Sequence, residues 1–342
     1  MNIFLLILLA LLLFGLKKAD AKDACLKKEH TDAVKGFFII IVLYSHILPY
    51  LTSSGVSFSP ILDVPANKII KMTGQLMVVM FLFYSGYGVM ESIQNKGKDY
   101  IISIPYKRIL STLVNYGIAI ACFLFMNLLL GIHYPVRQYL LSLIAWESVG
   151  QSNWYIFAIL CCYLSTFISF SVLKDKRFAF ALTVILHLIF IVVLHETKES
   201  WWYNIILSYP AGMFVSLNKK ELLSFLESHY LISVIGTLVI FLLCYTLGHS
   251  TVVYQGTAVS FGFLIFIISY RLVIKNRFLT WCGKNLFQLY VYQRIPMIAL
   301  YNLFPELVRI HPYLYVTCCM AVALLFAILI KPISITHPQR IR

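Results

Sequence analysis

Residues 35–51 read KGFFIIIVLYSHILPYL, an apolar stretch with one histidine inside it. From Phe37 to Tyr44 every side chain is aliphatic or aromatic. The surrounding segment 36–53 approaches the length of about 20 residues that a helix needs to cross the hydrocarbon of a bilayer. Only a helix or a closed barrel satisfies its backbone hydrogen bonds in lipid. The segment is therefore predicted to be a membrane-spanning helix.

The composition extends this prediction to the whole chain. Of the 342 residues, 60% are apolar and only 12% are charged, whereas soluble domains are about half apolar and about a quarter charged. Lipid must therefore cover much of the surface, and the chain is predicted to cross the bilayer roughly ten or eleven times. Besides 36–53, the predicted spans are 69–90, 109–131, 153–173, 178–195, 201–217, 229–247, 252–273, 285–303 and 313–331, with a shorter apolar segment at 3–16.

The distribution of basic residues predicts the orientation. In a soluble protein a charge of +14 would suggest nucleic acid as a partner, but in membrane proteins Lys and Arg collect in cytoplasmic loops. If the loop from Lys17 to Lys35 is cytoplasmic, 22 of the 28 basic residues fall on that side. The exceptions are Lys68, Lys71, Arg137, Lys198, Arg294 and Arg309. We therefore expect no nucleic-acid partner, an external N-terminus and a cytoplasmic C-terminus.

The N-terminal segment is predicted to be a retained anchor. Asn2 to Leu16 lacks the positive start of a signal peptide, and Lys17 and Lys18 follow it instead. We accordingly divide the chain into an anchor helix with its loop, 1–29, and a transmembrane domain, 30–342. The eight cysteines include no C-x-x-C pair and most lie in apolar runs, so we expect no disulfide framework and no metal site. G-x-S-x-G, H-E-x-x-H and Walker patterns are missing from the sequence.

Ionisable groups at membrane depth are costly, so each one is a candidate functional residue. His46 lies eleven residues after Lys35, which places it about 16 Å further along the helix and on nearly the same face. A histidine there has a pKa suited to a general base, and it could equally be a hydrogen-bonded packing residue. Arg294, beside Gln293, is too far from the helix ends to reach the interface and is predicted to face a polar cavity. Lys107 and Arg108 serve either as a topology signal or as a phosphate contact.

Five short motifs together resemble the membrane-bound acyltransferase family 3. Lys35 and His46 match the family's basic residue, ten residues and histidine, and Phe81–Gly86 (FLFYSG) is similar to its F-F-x-x-S-G, with Leu82 departing. Lys107 and Arg108 stand where the family commonly has a doubled arginine. The remaining two motifs are Asn153-Trp154-Tyr155, which resembles a Trp-Phe/Tyr-Leu helix start, and Gly283–Tyr290, which resembles G-x-x-S-L-x-I-Y, with Gln293 in place of a frequent histidine.

The resemblance implies a fold and an activity. The fold is an all-α polytopic membrane protein, a ten-helix acyltransferase-3 core plus the N-terminal anchor helix. The activity is transfer of an acyl group, most often acetyl, from cytosolic acyl-CoA to a hydroxyl of a cell-surface or exported polysaccharide, in a bacterial inner membrane. Acyl-CoA is then a co-substrate rather than a tightly bound cofactor, and the partners are the glycan acceptor and the lipid bilayer. His46 would be the catalytic base; the candidate donor-binding and lining residues are Lys35, Arg108, Lys107, Tyr44, Ser45, Ser85, Trp154, Gln293 and Arg294.

Two other functions stay open at this point. A transporter of a polysaccharide or a lipid-linked sugar would also line its path with intramembrane His, Arg and Gln, although the sequence shows no internal repeat of the kind that many transporters have. A family member that has lost activity and serves as a scaffold would explain the departures at Leu82 and Gln293.

Overall fold

The computed structural model describes residues 3–58, 63–248 and 250–336. It is all-α except for one two-stranded ribbon, β1 (Leu16–Lys18) paired antiparallel with β2 (Leu272–Ile274). The helices are α1 (Ile3–Gly15), α2 (Lys28–Ser53), α3 (Asp63–Thr73), α4 (Leu76–Lys96), α5 (Lys98–Ile104), α6 (Ser111–Leu130), α7 (Val136–Ser142), α8 (Trp154–Val172), α9 (Lys176–Thr197), α10 (Ser208–Leu217), α11 (Lys219–Leu247), α12 (Thr251–Arg271), α13 (Arg277–Lys284), α14 (Leu286–Tyr292), α15 (Arg294–Leu303), α16 (Pro305–Ile310) and α17 (Pro312–Leu329).

Within these described ranges, 8 helices are long and apolar enough to cross a membrane. They are α2, α4, the continuous helix Lys98–Leu130, α8, α9, α11, α12 and α17. The multi-pass all-α prediction is thus confirmed. The predicted segments 3–16, 201–217 and 285–303 instead contain the shorter helices α1, α10 and the pair α14 and α15.

Two predicted boundaries are wrong for local reasons, and a third coincides with a kink. The segment 69–90 is two helices, because the chain turns at Gly74, whose φ of +44° suits glycine, and Lys71 lies exposed on α3. The segment 201–217 begins with a 3₁₀ turn, Ser200–Trp202, and becomes α-helical only at Ser208. α11 runs from Lys219 to Leu247, but its backbone is non-helical at His229 (φ −125°, ψ 28°), so the predicted start at 229 coincides with a kink between the charged first turns and the apolar part of the helix.

Two helix crossings form the centre of the bundle, and glycines make both possible. Gly36 of α2 lies against the backbone of Leu279, and Gly283 of α13 lies against the backbone of Asp32. In the same reciprocal way, Gly86 of α4 meets the carbonyl of Tyr209 and Gly212 of α10 meets the carbonyl of Phe83. Small residues allow two membrane helices to approach to backbone contact. The crossing of α2 and α13 thereby fixes the helix that carries Lys35 and His46.

Loops that the charge count assigned to one side do meet at one end of the bundle. The ribbon joins Lys17 and Lys18 to the segment after α12, and Lys219 pairs with Glu91 at 3.4 Å; we call this the basic end. At the opposite end, Ser53 contacts Tyr301 and Gln75 donates a hydrogen bond to the Trp201 carbonyl. The alternation of loops between two ends matches the sequence prediction, while the membrane face that each end occupies stays a prediction.

The connection between α6 and α8 folds back into the protein. Asn127 donates to the carbonyl of Val149 at 2.8 Å, and Asn153 donates to the carbonyl of Ala145 at 3.0 Å. Gln151 is 1% exposed and donates to the Tyr116 hydroxyl at 2.9 Å. These bonds satisfy a buried loop backbone. As a result α8 begins inside the bundle, so that its first turn can line a cavity.

Candidate active site

A cavity of about 340 Å³ opens beside the basic end, within the range of about 300–1,000 Å³ that is usual for small-molecule sites. Its wall is built by α4, the start of α6, α8, the turn between α13 and α14, and the chain after α17. The lining residues are Ser85, Lys107, Ser111, Thr112, Asn115, Tyr155, Ile156, Ile159, Tyr163, Lys284, Leu286, Phe287, Pro332, Ile333 and Ser334. Two lysines and several hydroxyl groups give this cavity a polar side.

A π-helical segment presents the basic residues at this cavity. Pro105 begins the segment Pro105–Leu110, and because proline has no N–H it disturbs the regular helical ladder; such wide turns often mark functional sites. Lys107 is exposed and lines the cavity. Arg108 Nε donates to the Tyr100 hydroxyl at 3.0 Å, and its guanidinium lies 5.8 Å from the Tyr163 ring centroid. Arg108 is therefore held in place by aromatic neighbours beside the cavity.

His46 belongs to a group of buried polar atoms on α2, α14 and α15. Gln293 and Arg294 interact with His46, and Gln293 Nε2 donates to the Tyr290 carbonyl at 2.8 Å. His46 Nδ1, Gln293 Oε1 and Arg294 Nε are buried and make no well-formed hydrogen bond in the described part of the chain, although the Gln293 side chain lies within hydrogen-bonding reach of the imidazole. Native proteins rarely leave buried polar atoms unpaired. The cluster is therefore an underpaired polar region inside the bundle.

Aromatic residues connect the cavity with the His46 cluster and then with the opposite end. The Tyr155 ring, in the cavity wall, lies 5.0 Å from the Tyr290 ring of α14. On the other side of the cluster, Arg294 Nη2 lies 3.5 Å from the Tyr50 hydroxyl, and the Tyr50 and Tyr301 rings lie 5.2 Å apart. A line of polar and aromatic side chains thus runs from the basic end through His46 to the other end.

Lys35 is held by an ion pair that the sequence analysis did not predict. Its ammonium lies 2.8 Å from the carboxylate of Asp32, whose side chain is 1% exposed. Lys28 approaches the same carboxylate at 2.6 Å from the exposed side. The carboxylate is thus shared by one partly buried and one exposed lysine. Lys35 does not line the cavity formed by the described residues, and its position fits maintenance of the local charge better than direct contact with a donor.

We expect Lys35→Ala to lower the thermal stability of the purified protein and Lys28→Ala to leave it nearly unchanged. Removing the partly buried partner leaves Asp32 with a single exposed lysine, whereas an exposed ion pair contributes at most about 1 kcal/mol. The measurement is the melting temperature of both variants in the same detergent. Equal melting temperatures for the two variants would contradict a structural role of the Lys35–Asp32 pair.

The other predicted site residues lie at different places. Ser85 lines the cavity. The Tyr44 hydroxyl donates to Asn67 of α3 at 3.2 Å, and the Ser45 hydroxyl donates to the Val42 carbonyl within its own helix. Trp154 packs edge-on against Tyr155. Tyr44, Ser45 and Trp154 are not part of the cavity lining found among the described residues.

Several residues of the cavity escaped the sequence analysis. Asn115 and Ser111 are polar residues within an apolar helix, and this is a signal that could have singled them out. Tyr163 gives no such signal, because tyrosine is common throughout this chain, which contains 22 of them. Asp32 lies before the apolar run, but its spacing of three residues from Lys35 and four from Lys28 on a predicted helix is a signal that could have singled it out.

A second histidine is sealed in the core. His187 Nδ1 lies 2.7 Å from the Thr183 carbonyl, its Nε2 lies 3.3 Å from Cys162 Sγ, and the ring stacks on Tyr209. His187 and Cys162 are both 0% exposed. A thiol beside a histidine is the arrangement of a nucleophile and its base, but substrate has no access here, so the pair is a packing contact.

Cys25 is excluded as a reactive thiol for a related reason. It lies in the 3₁₀ turn Ala24–Leu26, outside the spanning helices, and is 0% exposed. Burial raises the pKa of its thiol to about 12, and the thiolate is the reactive form. All eight cysteines, which fall within the described ranges, are free.

Comparison with known proteins gives one match. A family model described as an acyltransferase domain, of the acyltransferase-3 type, matches residues 31–331. No curated protein and no solved structure matches the chain. The matched region includes Lys35, His46, the cavity and the cluster around Gln293, and it begins after α1.

Proposed function

The chain belongs to the acyltransferase-3 family of membrane acyltransferases, and on this premise we propose that it transfers an acyl group, acetyl above all, from acyl-CoA to a hydroxyl of a cell-surface or exported polysaccharide. The observation that carries the proposal is a buried histidine inside a membrane-spanning helix, whose Nδ1 makes no well-formed hydrogen bond among the described residues and has only the Gln293 side chain within reach, beside Arg294. A histidine in this state has a nitrogen available for a substrate hydroxyl.

The cavity supports acyl-CoA as the donor. Lys107 and Lys284 stand where the phosphates of coenzyme A would enter from the basic end, and a lysine ammonium is a suitable point charge for phosphate. The inner part of the cavity reaches Tyr155, which contacts Tyr290 and so adjoins the His46 cluster. A long donor could therefore bind with its charged end at the lysines and its thioester directed towards His46.

The acceptor would approach from the opposite end. Tyr50, Tyr301 and Ser53 lead from that end towards Arg294, and hydroxyl and aromatic groups suit a sugar, which offers both hydroxyls and an apolar face. In the proposed step His46 takes the proton of the acceptor hydroxyl, and the oxygen of that hydroxyl attacks the carbonyl carbon of the thioester. Arg294 Nε–H faces the oxygen on which negative charge develops. The C–S bond then breaks, and the coenzyme A sulfur leaves with the proton from His46.

The same proposal assigns a location and an orientation. We place the protein in a bacterial inner membrane with the basic end cytosolic, where acyl-CoA is made, and the opposite end outside, where an exported glycan would meet it. The positive-inside distribution of lysine and arginine supports this orientation.

The test is transfer of label across the reconstituted protein. Proteoliposomes that receive acetyl-CoA labelled in its acetyl group on the side of the basic end, and the host's surface glycan on the other side, are expected to yield labelled glycan. The label should be released by mild alkali, since an ester forms on a hydroxyl. A transporter would instead move glycan across the bilayer without labelling it, and this result would overturn the proposal. Rate comparisons among acyl-CoA donors of different chain length test the choice of acetyl.

A further inference from the structure

The chain after α17 lies in the donor cavity. Past Ile330 the backbone is no longer helical, and Pro332, Ile333 and Ser334 form part of the cavity wall. This segment, residues 331–336, is here called the tail. Within the described chain it is a non-helical part of the cavity wall, and it lies beside α6 rather than along the helix that precedes it.

Two side chains of α6 hold the tail through its backbone. Asn115 Oδ1 accepts the N–H of Ile333 at 2.8 Å, and Asn115 Nδ2 donates to the carbonyl of the same residue at 2.7 Å. Ser111 Oγ accepts the N–H of Ile335 at 2.8 Å. Asn115 and Ser111 are each 8% exposed. Their hydrogen bonds therefore go to the backbone amides of the tail and not to its side chains.

The position of these two residues matters for the donor. Ser111 and Asn115 line the same cavity as Lys107, Lys284 and Tyr155, and they follow Lys107 by about one and two helical turns along the chain. In coenzyme A the segment between the phosphates and the thioester is the pantetheine arm, an extended chain with two amide groups. A donor with its phosphates at the lysines and its thioester near Tyr155 must pass its arm along Ser111 and Asn115.

We propose that Asn115 and Ser111 form the subsite for the amide-bearing arm of the acyl donor, and that the tail occupies this subsite when no donor is bound. The inference rests on the proposed function, since it takes acyl-CoA as the ligand. The tail offers Asn115 one N–H and one carbonyl, the same groups that an amide of the arm offers. Binding of the donor thus displaces the tail from Asn115. Since the donor binds only to molecules whose subsite is free of the tail, the apparent Kd equals the intrinsic Kd divided by the fraction of molecules with a free subsite.

The first test uses Ile333→Pro in the full chain. Proline has no N–H and prefers an extended residue before it, so the variant loses the bond to Asn115 Oδ1. Thr336→Pro is the matched control, because it also places a proline in the tail and keeps the N–H groups of Ile333 and Ile335. Affinity for acetyl-CoA is measured by calorimetry in detergent. Ile333→Pro should bind about tenfold more tightly than the wild type, as expected when a competing contact of about 1.4 kcal/mol is lost. Thr336→Pro should bind as the wild type does.

The second test uses Asn115→Ala and separates a competing tail from a fixed wall. Asn115→Ala is made in the Ile333→Pro protein, because Asn115 also holds the tail and its removal from the wild type would release the competitor together with the arm contact. If Asn115 binds the arm, the double variant binds acetyl-CoA about tenfold more weakly than Ile333→Pro alone, since amide contacts are lost. Equal affinities of the double variant and Ile333→Pro would overturn the inference. ADP, which has no arm, should bind equally to all of the variants.

Hydrogen exchange gives an independent readout that does not need Asn115→Ala to fold. In the wild type, acetyl-CoA should speed amide exchange of the peptide that contains Ile333 and Ile335, because the tail leaves its partners. Slower exchange on addition of acetyl-CoA would overturn the inference and leave the proposed transferase standing. If neither the wild type nor Ile333→Pro binds acetyl-CoA, the donor is wrong and the inference fails with it.

Discussion

The variant His46→Ala is expected to lower the rate of acyl transfer by at least about a hundredfold, because a positioned general base contributes about 10²–10⁴ to a rate. The residue is placed on α2, next to Gln293 and Arg294, and its buried Nδ1 makes no well-formed hydrogen bond in the described structure. Removing the imidazole takes away the group that receives the proton of the acceptor hydroxyl. The measurement is transfer of labelled acetyl to glycan by purified protein, with the donor and acceptor saturating.

Two comparisons make this result interpretable. His195→Ala removes an exposed histidine next to Glu196 and should transfer at the wild-type rate. Acetyl-CoA should bind to His46→Ala with nearly the wild-type affinity, since the lysines and the cavity are unchanged. Transfer by His46→Ala at the wild-type rate would remove His46 from the mechanism. Loss of transfer together with loss of the folded protein would point to a packing role instead.

The largest effect on stability is expected from Gly86→Ala. A methyl group at Gly86 would overlap with the carbonyl oxygen of Tyr209, and because that atom is backbone it cannot rotate away. α4 and α10 must then separate, and the reciprocal contact of Gly212 with Phe83 opens with them. We expect little monodisperse protein from this variant after detergent extraction, measured by size-exclusion chromatography and thermal unfolding.

Gly88→Ala is the matched control on the same helix. Apart from its chain neighbours and the adjacent backbone of its own helix, no described atom comes within 4 Å of the position that its Cβ would take. Alanine favours a helix by about 1 kcal/mol over glycine, so this variant should be as stable as the wild type or slightly more stable. A folded and active Gly86→Ala protein would show that the two helices can move apart, contrary to the crossing described above.

The role of Gly86 also explains part of the family motif in physical terms. The stretch Phe81–Gly86 resembles the family's F-F-x-x-S-G, and the sequence alone does not say why a glycine ends it. The structure gives the reason, since Gly86 is where α4 touches the backbone of α10. The serine before it, Ser85, turns to the cavity. Neighbouring residues of one motif therefore serve two purposes, helix packing at Gly86 and lining of the cavity at Ser85.

Much of the fold could be predicted because lipid imposes a strict rule on the sequence. Each spanning helix must be a long apolar run, and the segments containing α2, α4, α8 and α9 were therefore visible in the composition alone. The rule fails where a helix is short and protected by its neighbours. α10 has only 10 residues, and α14 and α15 are separated at Gln293, so neither forms the single long helix that the apolar run suggested.

The candidate site divides in the same way. Lys35 and His46 lie on one helix, so their separation and common face follow from helical geometry, and the sequence by itself determined that a histidine lies inside a membrane span. The Asp32–Lys35 ion pair, three residues apart on the same helix, also follows from helical spacing. Only the tertiary structure decided what surrounds His46. Gln293 and Arg294 reach it because α14 and α15 pack against α2, and the tail reaches Asn115 from more than 200 positions along the chain. Such contacts depend on which helices become neighbours. Apolar side chains that suit a lipid environment can pack against lipid or against any other apolar helix, so they do not specify the neighbours.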